Sequence, residues 1–183
     1  YGHSSGNVNG KVIDFHPTIE VEVNYRDGKQ NIKTALLGDF YLYNILCAAT
    51  VGDIFQIKSE TISKSLESYT PSNHRSQLIK TKTNIVIADC YNANPTSTLA
   101  ALQSLSSMKV ENKVAILGDM LELGENEDVE HQNIVQFMYE NNINGLLVGG
   151  IFSNLKCNFP TFEKVELILP YLKNMRYENY TIL

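Results

Sequence analysis

The chain has 183 residues, 43% of them hydrophobic and 19% charged, with 15 Lys and Arg against 20 Asp and Glu for a formal net charge of −5. Enough apolar material is present for a packed core, which excludes a disordered chain, and the acidic balance argues against a general binder of nucleic acid, which carries a basic face. No run of about 18 apolar residues occurs, so a membrane-spanning helix is excluded.

The first forty residues alternate as strands do. Lys11–Phe15 is followed by Ile19, Val21, Val23 and Tyr25 on one face and Glu20, Glu22 and Asn24 on the other. Asp27-Gly28 predicts a hairpin turn into a strand from Gln30 to Leu37, and Gly38 ends this β region. From Tyr41 to Val51 the spacing of Leu42, Ile45, Leu46 and Ala49 predicts a helix, and a second is expected over Glu60–Leu66. The polar, Pro-containing stretch Tyr69–His74 reads as a domain junction, which divides the chain into residues 1–70 and 71–183.

Beyond the junction, strands alternate with helices. Gln77–Thr81 and Asn84–Ala88 read as short strands joined by a Lys82-Thr83 turn, and Pro95–Lys109 as a helix with Leu99, Leu102 and Leu105 inward. Lys113–Leu117 is a buried strand, Val129–Asn141 a helix, Leu146–Val148 a strand, Val165–Leu172 mostly helix, and Tyr180–Leu183 the start of a further strand. Such alternation predicts an α/β fold with a mostly parallel sheet and right-handed crossovers. The opening Tyr1-Gly2-His3 and the closing strand without its covering helix lead us to expect an excised piece whose second domain is truncated. Cys47, Cys90 and Cys157 are odd in number and far apart, which favours neither a disulfide framework nor a zinc site and fits a reducing cytoplasm.

Two segments carry candidate chemistry, each after a strand where open α/β sheets bind ligands. In Asp89-Cys90-Tyr91-Asn92-Ala93-Asn94-Pro95 the Asp ends a strand and Asn94-Pro95 opens a helix. Asn94 reads first as an N-cap with Pro at the first helical position. Asp89 is either an acceptor for sugar hydroxyls or a turn-stabilising carboxylate. In Gly118-Asp119-Met120-Leu121-Glu122-Leu123-Gly124-Glu125 three carboxylates fall close together. They suit a metal or an ammonium group, or else form an acidic loop whose Glu125, with Glu127 and Asp128, complements the dipole of the next helix. His131 reads as a packing or capping residue before a catalyst, and Arg75 as a surface cation of the connector before one that reaches phosphate oxygens. The sequence contains no G-x-x-x-x-G-K-[ST] loop, since Gly145–Gly150 lacks the Lys.

Taken in order, Arg75, the segment Asp89–Pro95, the segment Leu117–Gly124 and His131 resemble the Mur ligases, in particular the members that add D-alanyl-D-alanine. The resemblance implies the end of a central ATPase domain followed by a Rossmann-like domain. It implies a cytoplasmic, monomeric ligase that uses ATP and Mg2+ to join D-Ala-D-Ala to UDP-N-acetylmuramoyl-tripeptide through an acyl phosphate, with no nucleic acid or membrane partner. The P-loop and metal ligands would then lie upstream of Tyr1, and the isolated chain would be catalytically silent. By the same resemblance Asn44, Arg75, Asp89 and Tyr91 face the nucleotide, and Asn92, Asn94, Asp119, Glu122 and His131 line the substrate side. Phe40 and Tyr41 stand where the family has His and Asn beside the adenine, and Ala88 where it has a further Asp. Two rival readings are a non-catalytic nucleotide-binding module and an S-adenosylmethionine methyltransferase, the latter from Leu121-Glu122-Leu123-Gly124.

Overall fold

The computed structural model describes residues 1–4, 6–15, 18–72 and 74–183. Two compact units are formed, Tyr1–Ser72 and Asn73–Leu183. Of the junction expected over Tyr69–His74, Asn73 lies outside the described residues.

In the first unit β1 (Asn9–Phe15), β2 (Thr18–Tyr25) and β3 (Gly28–Leu37) make an antiparallel sheet in that order. A single 3-10 turn, Asp39–Tyr41, leads into α1 (Leu42–Ile54), and α2 (Ser59–Ser68) follows. The period-two pattern does what it should: Ile19, Val21, Val23 and Tyr25 of β2 are all buried with Ile32 and Leu36, beneath Leu42, Ile45, Leu46 and Ala49 of α1 and Ile62 of α2. Burying side chains of this size contributes about 1.5–3 kcal/mol each, which holds helices that propensity alone would not sustain. The hairpin turn sits one residue upstream of the expected place. Tyr25 pairs with Gly28, so Arg26 and Asp27 form the loop. Asp27 is thereby free to cap another element, its Oδ2 accepting the Ser59 N–H at 3.1 Å at the start of α2.

The second unit holds β4 (Gln77–Lys80), β5 (Ile85–Ala88), α3 (Pro95–Ser107), β6 (Lys113–Gly118), α4 (Glu127–Glu140), β7 (Asn144–Val148), α5 (Gly150–Asn154), β8 (Thr161–Phe162), α6 (Val165–Met175) and β9 (Thr181–Ile182). Among the described residues its sheet has the order β4-β5-β9-β6-β7-β8. Only the β4–β5 pair is antiparallel, and the other neighbours are parallel. The architecture is the mixed α/β class expected, with one antiparallel edge strand. Val114, Ala115 and Leu117 of β6 and Leu146, Leu147 and Val148 of β7 are buried, with Leu102 and Leu105 of α3 and Ile134, Val135 and Met138 of α4 also fully enclosed.

Three details differ from the sequence expectation. Leu99 is only half-buried. The helix α3 ends at Ser107 because the next residue, Met108, turns extended and is buried. The elements α5 and β8 were not expected. Among the described residues no helix is long and apolar enough to cross a membrane. For function, the consequence of the strand order is that the carboxyl ends of β5, β9 and β6 lie side by side.

Candidate functional site

A cleft of about 520 Å³ opens at those carboxyl ends, within the roughly 300–1,000 Å³ usual for small-molecule sites. Its lining includes Asp89, Tyr91, Asn92, Asp119 and Leu121 over a floor that includes Ile116 and Leu183.

Asp89 directly follows β5. Its Oδ1 accepts the backbone N–H of Ser76 at 3.0 Å, and the neighbouring Cys90 N–H donates to the His74 carbonyl at 2.9 Å. Both His74 and Ser76 are left-handed, with φ of 56° and 48°. Such a backbone costs a non-glycine residue roughly 1–2 kcal/mol, and these two hydrogen bonds hold it. Between them stands Arg75, whose guanidinium carbon lies 3.8 Å from the centre of the Tyr91 ring. The Asp89 Oδ2 has no hydrogen-bond partner among the described residues. Both functions considered for Asp89 are therefore available at once: one oxygen fixes a turn, and the other can accept from a ligand hydroxyl.

Asn94 is the N-cap of α3. Its side-chain oxygen accepts the Ser97 N–H at 3.0 Å, and Ser97 Oγ accepts the Asn94 N–H at 3.2 Å. The cap and Pro95 at the first helical position stand as expected. Asn94 does not line the cleft, whereas Tyr91 and Asn92 do.

Asp119 follows β6 and is spent in part on structure. Its Oδ2 accepts the N–H of Ile151 at 2.9 Å and its Oδ1 that of Phe152 at 3.0 Å, the free donors at the start of α5. Glu122, with φ of 65°, is exposed and outside the cleft lining. The carboxylates of this loop do not converge: among the described residues no three His, Cys, Asp or Glu side chains group as a metal site. Leu121–Gly124 lies in the loop beyond β6 rather than at a strand end, which removes the structural basis of the methyltransferase reading.

His131 requires a correction to its expected substrate-side place. It is fully buried under the loop after β6. Its Nε2 accepts the Met120 N–H at 2.9 Å, and its Nδ1 lies 2.6 Å from the Glu127 carbonyl oxygen. An amide N–H can only donate and a carbonyl can only accept, so the ring is assigned as the neutral form with the proton on Nδ1. The Phe152 ring meets it edge-on, with centroids 4.6 Å apart. Neither nitrogen is left for a substrate.

Asn44 belongs to the first unit, exposed on α1. Nearby in sequence, the Phe40 and Tyr41 rings lie 4.7 Å apart, and the Phe40 ring fills the place that a side chain on Gly38, with φ of 101°, would take. Sequence reasoning missed Leu121, which lines the cleft with 69% of its surface exposed. The available signal was a leucine between Asp119 and Glu122 in the loop that follows a strand.

Residues 74–150 match the family model for the Mur ligase, glutamate ligase domain. The UDP-N-acetylmuramoyl-tripeptide--D-alanyl-D-alanine ligase of Bacillus subtilis (strain 168) is 38% identical over 99 residues, covering 53% of this chain and 22% of that protein. Its counterpart in Buchnera aphidicola subsp. Acyrthosiphon pisum (strain APS) is 30% identical over 153 residues, covering 81% of this chain and 33% of that protein. Among solved structures, MurF from Acinetobacter baumannii shares the fold at TM-score 0.87 and 24% identity, over 100% of this chain and 42% of that one. MurF ligase from Thermotoga maritima in complex with ADP does so at TM-score 0.81 and 18% identity, over 100% and 43%. The chain thus spans 22% to 33% of the length of the two curated relatives. Residues 74–150 thus carry the likeness to the Mur ligase family, and the curated relatives are of the D-alanyl-D-alanine-adding type.

Proposed function

We propose that the chain is part of an ATP-dependent peptide ligase of peptidoglycan precursor synthesis, which joins D-Ala-D-Ala to UDP-N-acetylmuramoyl-tripeptide. In this reading residues 1–70 are the end of the central ATPase domain and 71–183 belong to the C-terminal domain, in a monomeric, cytoplasmic enzyme. The observation that carries it is Asp89, with an unspent carboxylate oxygen, at the mouth of a cleft beside the stacked Arg75 and Tyr91.

A nucleotide suits these groups. Asp89 accepts hydrogen bonds from ribose hydroxyls, and Arg75 supplies a charge that matches phosphate oxygens. Within the second unit Tyr91, Asn92 and Asp119 line the cleft.

A carboxylate resists attack by an amine, which is why activation is needed. An oxygen of the tripeptide carboxylate takes the terminal phosphoryl group of ATP and ADP departs. The D-Ala-D-Ala amine then adds to the acyl carbon, and the tetrahedral adduct expels phosphate to leave the amide. Positioning and neutralisation of phosphate charge carry such a reaction. With no phosphate-binding loop in its sequence, the 183-residue chain alone is expected to hydrolyse no ATP. The test is phosphate release by the full-length protein: it should require the tripeptide substrate and D-Ala-D-Ala together, and release indifferent to both would refute the ligase reading.

A further inference from the structure

We infer that Tyr91 is a positioning residue for Arg75, and that Asp89-Cys90-Tyr91 acts as a clamp on His74-Arg75-Ser76. The clamp has three parts, one from each residue of the triplet. The Asp89 carboxylate takes the Ser76 N–H at 3.0 Å, the Cys90 N–H meets the His74 carbonyl at 2.9 Å, and the Tyr91 ring faces the Arg75 guanidinium at 3.8 Å.

Each part corrects a separate freedom. The two hydrogen bonds fix the residues on either side of Arg75 in the left-handed region, where neither would rest unaided. They set the direction in which the Arg75 side chain leaves the backbone. That side chain is exposed and has no ion pair with any carboxylate among the described residues. A long cationic side chain in that setting samples many rotamers, and ordering it on demand costs conformational entropy. A planar guanidinium stacks on an aromatic face without giving up its in-plane N–H donors. Tyr91 therefore orders Arg75 while its donors remain available to an anion. An acidic partner in the same place would order it equally well but would consume the donors and the charge.

Tyr91 itself is 64% exposed. A tyrosine retained at the surface for packing alone would lie against apolar side chains. Here its face is covered by a cation, and the hydroxyl is not needed for that contact. Phe should therefore serve in place of Tyr, and a leucine of comparable bulk should not.

The kinetic part of the test rests on the ligase reading, and the spectroscopic part does not. In the 183-residue chain the Arg75 Hε resonance should be moved upfield by the Tyr91 ring current, lose that shift in Tyr91→Leu and recover it in Tyr91→Phe. In the full-length ligase Tyr91→Leu should raise KM for ATP by about three- to fivefold, more than it lowers kcat, with Tyr91→Phe restoring most of the affinity. An Arg75 resonance identical in all three proteins, or an unchanged KM in Tyr91→Leu, overturns the inference. Should the unsubstituted full-length protein release no substrate-dependent phosphate, the ligase reading fails, and the resonance comparison alone decides whether the clamp exists.

Discussion

The backbone N–H of Met120 donates to Nε2 of His131 across 2.9 Å, and this bond ties the loop after β6 to the buried face of α4. Removing the ring would strand the Met120 N–H and the Glu127 carbonyl and leave a gap beside Phe152. His131→Ala should cost about 2–4 kcal/mol, the usual range for a buried group with two lost hydrogen bonds. Amide hydrogen exchange provides the readout. Met120 should exchange much faster in the variant, while the amides of β1–β3 keep their protection.

Gly149 has φ of 133°, and a side chain there would run into the Asp119 carboxylate. Gly149→Ala should therefore be destabilising by about 1–3 kcal/mol, from backbone strain together with a displaced cap on α5. Thermal unfolding of the variant should begin several degrees lower. The amide resonances of Ile151 and Phe152 should shift, because Asp119 is their acceptor.

These two sites show what sequence alone reveals. His131, Ile134, Val135 and Met138 fall three and four residues apart, and all four are buried. The period thus places His131 inside, although the motif that contains it suggested a substrate contact. The cap of α3 was legible because Asn94 and Ser97 act over three residues. The helix α5 was not, since five residues opened by Gly149-Gly150 carry no period, and its cap arrives from Asp119, more than thirty positions away. In the same way the cation–π pair of Arg75 and Tyr91 joins two motifs that read as separate. Local signals are printed in the sequence, whereas contacts across the sheet depend on register and strand order.

Asp27 offers a pH-dependent test in the first unit. Hydrogen bonds from Ser59, first from its backbone N–H, hold the Asp27 carboxyl below the ordinary carboxylate value. A group whose value is lower when folded adds stability above its unfolded value and loses it as pH falls through the folded one. Asp27→Asn keeps an acceptor and removes the charge. The variant should be less stable than the unsubstituted chain at about pH 7, and denaturant midpoints of the two should converge towards about pH 2.

Asp89→Ala removes both the tether on Ser76 and the acceptor facing the cleft. In the full-length ligase KM for ATP should rise about tenfold or more, as expected when a charged acceptor is lost. Asp89→Asn keeps an oxygen for the Ser76 N–H and should have a smaller effect. Steady-state kinetics at varied ATP decide the matter, and unchanged constants in Asp89→Ala would take this residue out of the nucleotide site.

The most direct measurement follows an oxygen atom through the reaction. With 18O in the terminal carboxylate of UDP-N-acetylmuramoyl-tripeptide, full-length protein supplied with ATP and D-Ala-D-Ala should release phosphate carrying one 18O for each amide formed. Unlabelled phosphate accompanying amide formation would mean that no acyl phosphate was made, and the proposed chemistry would be wrong.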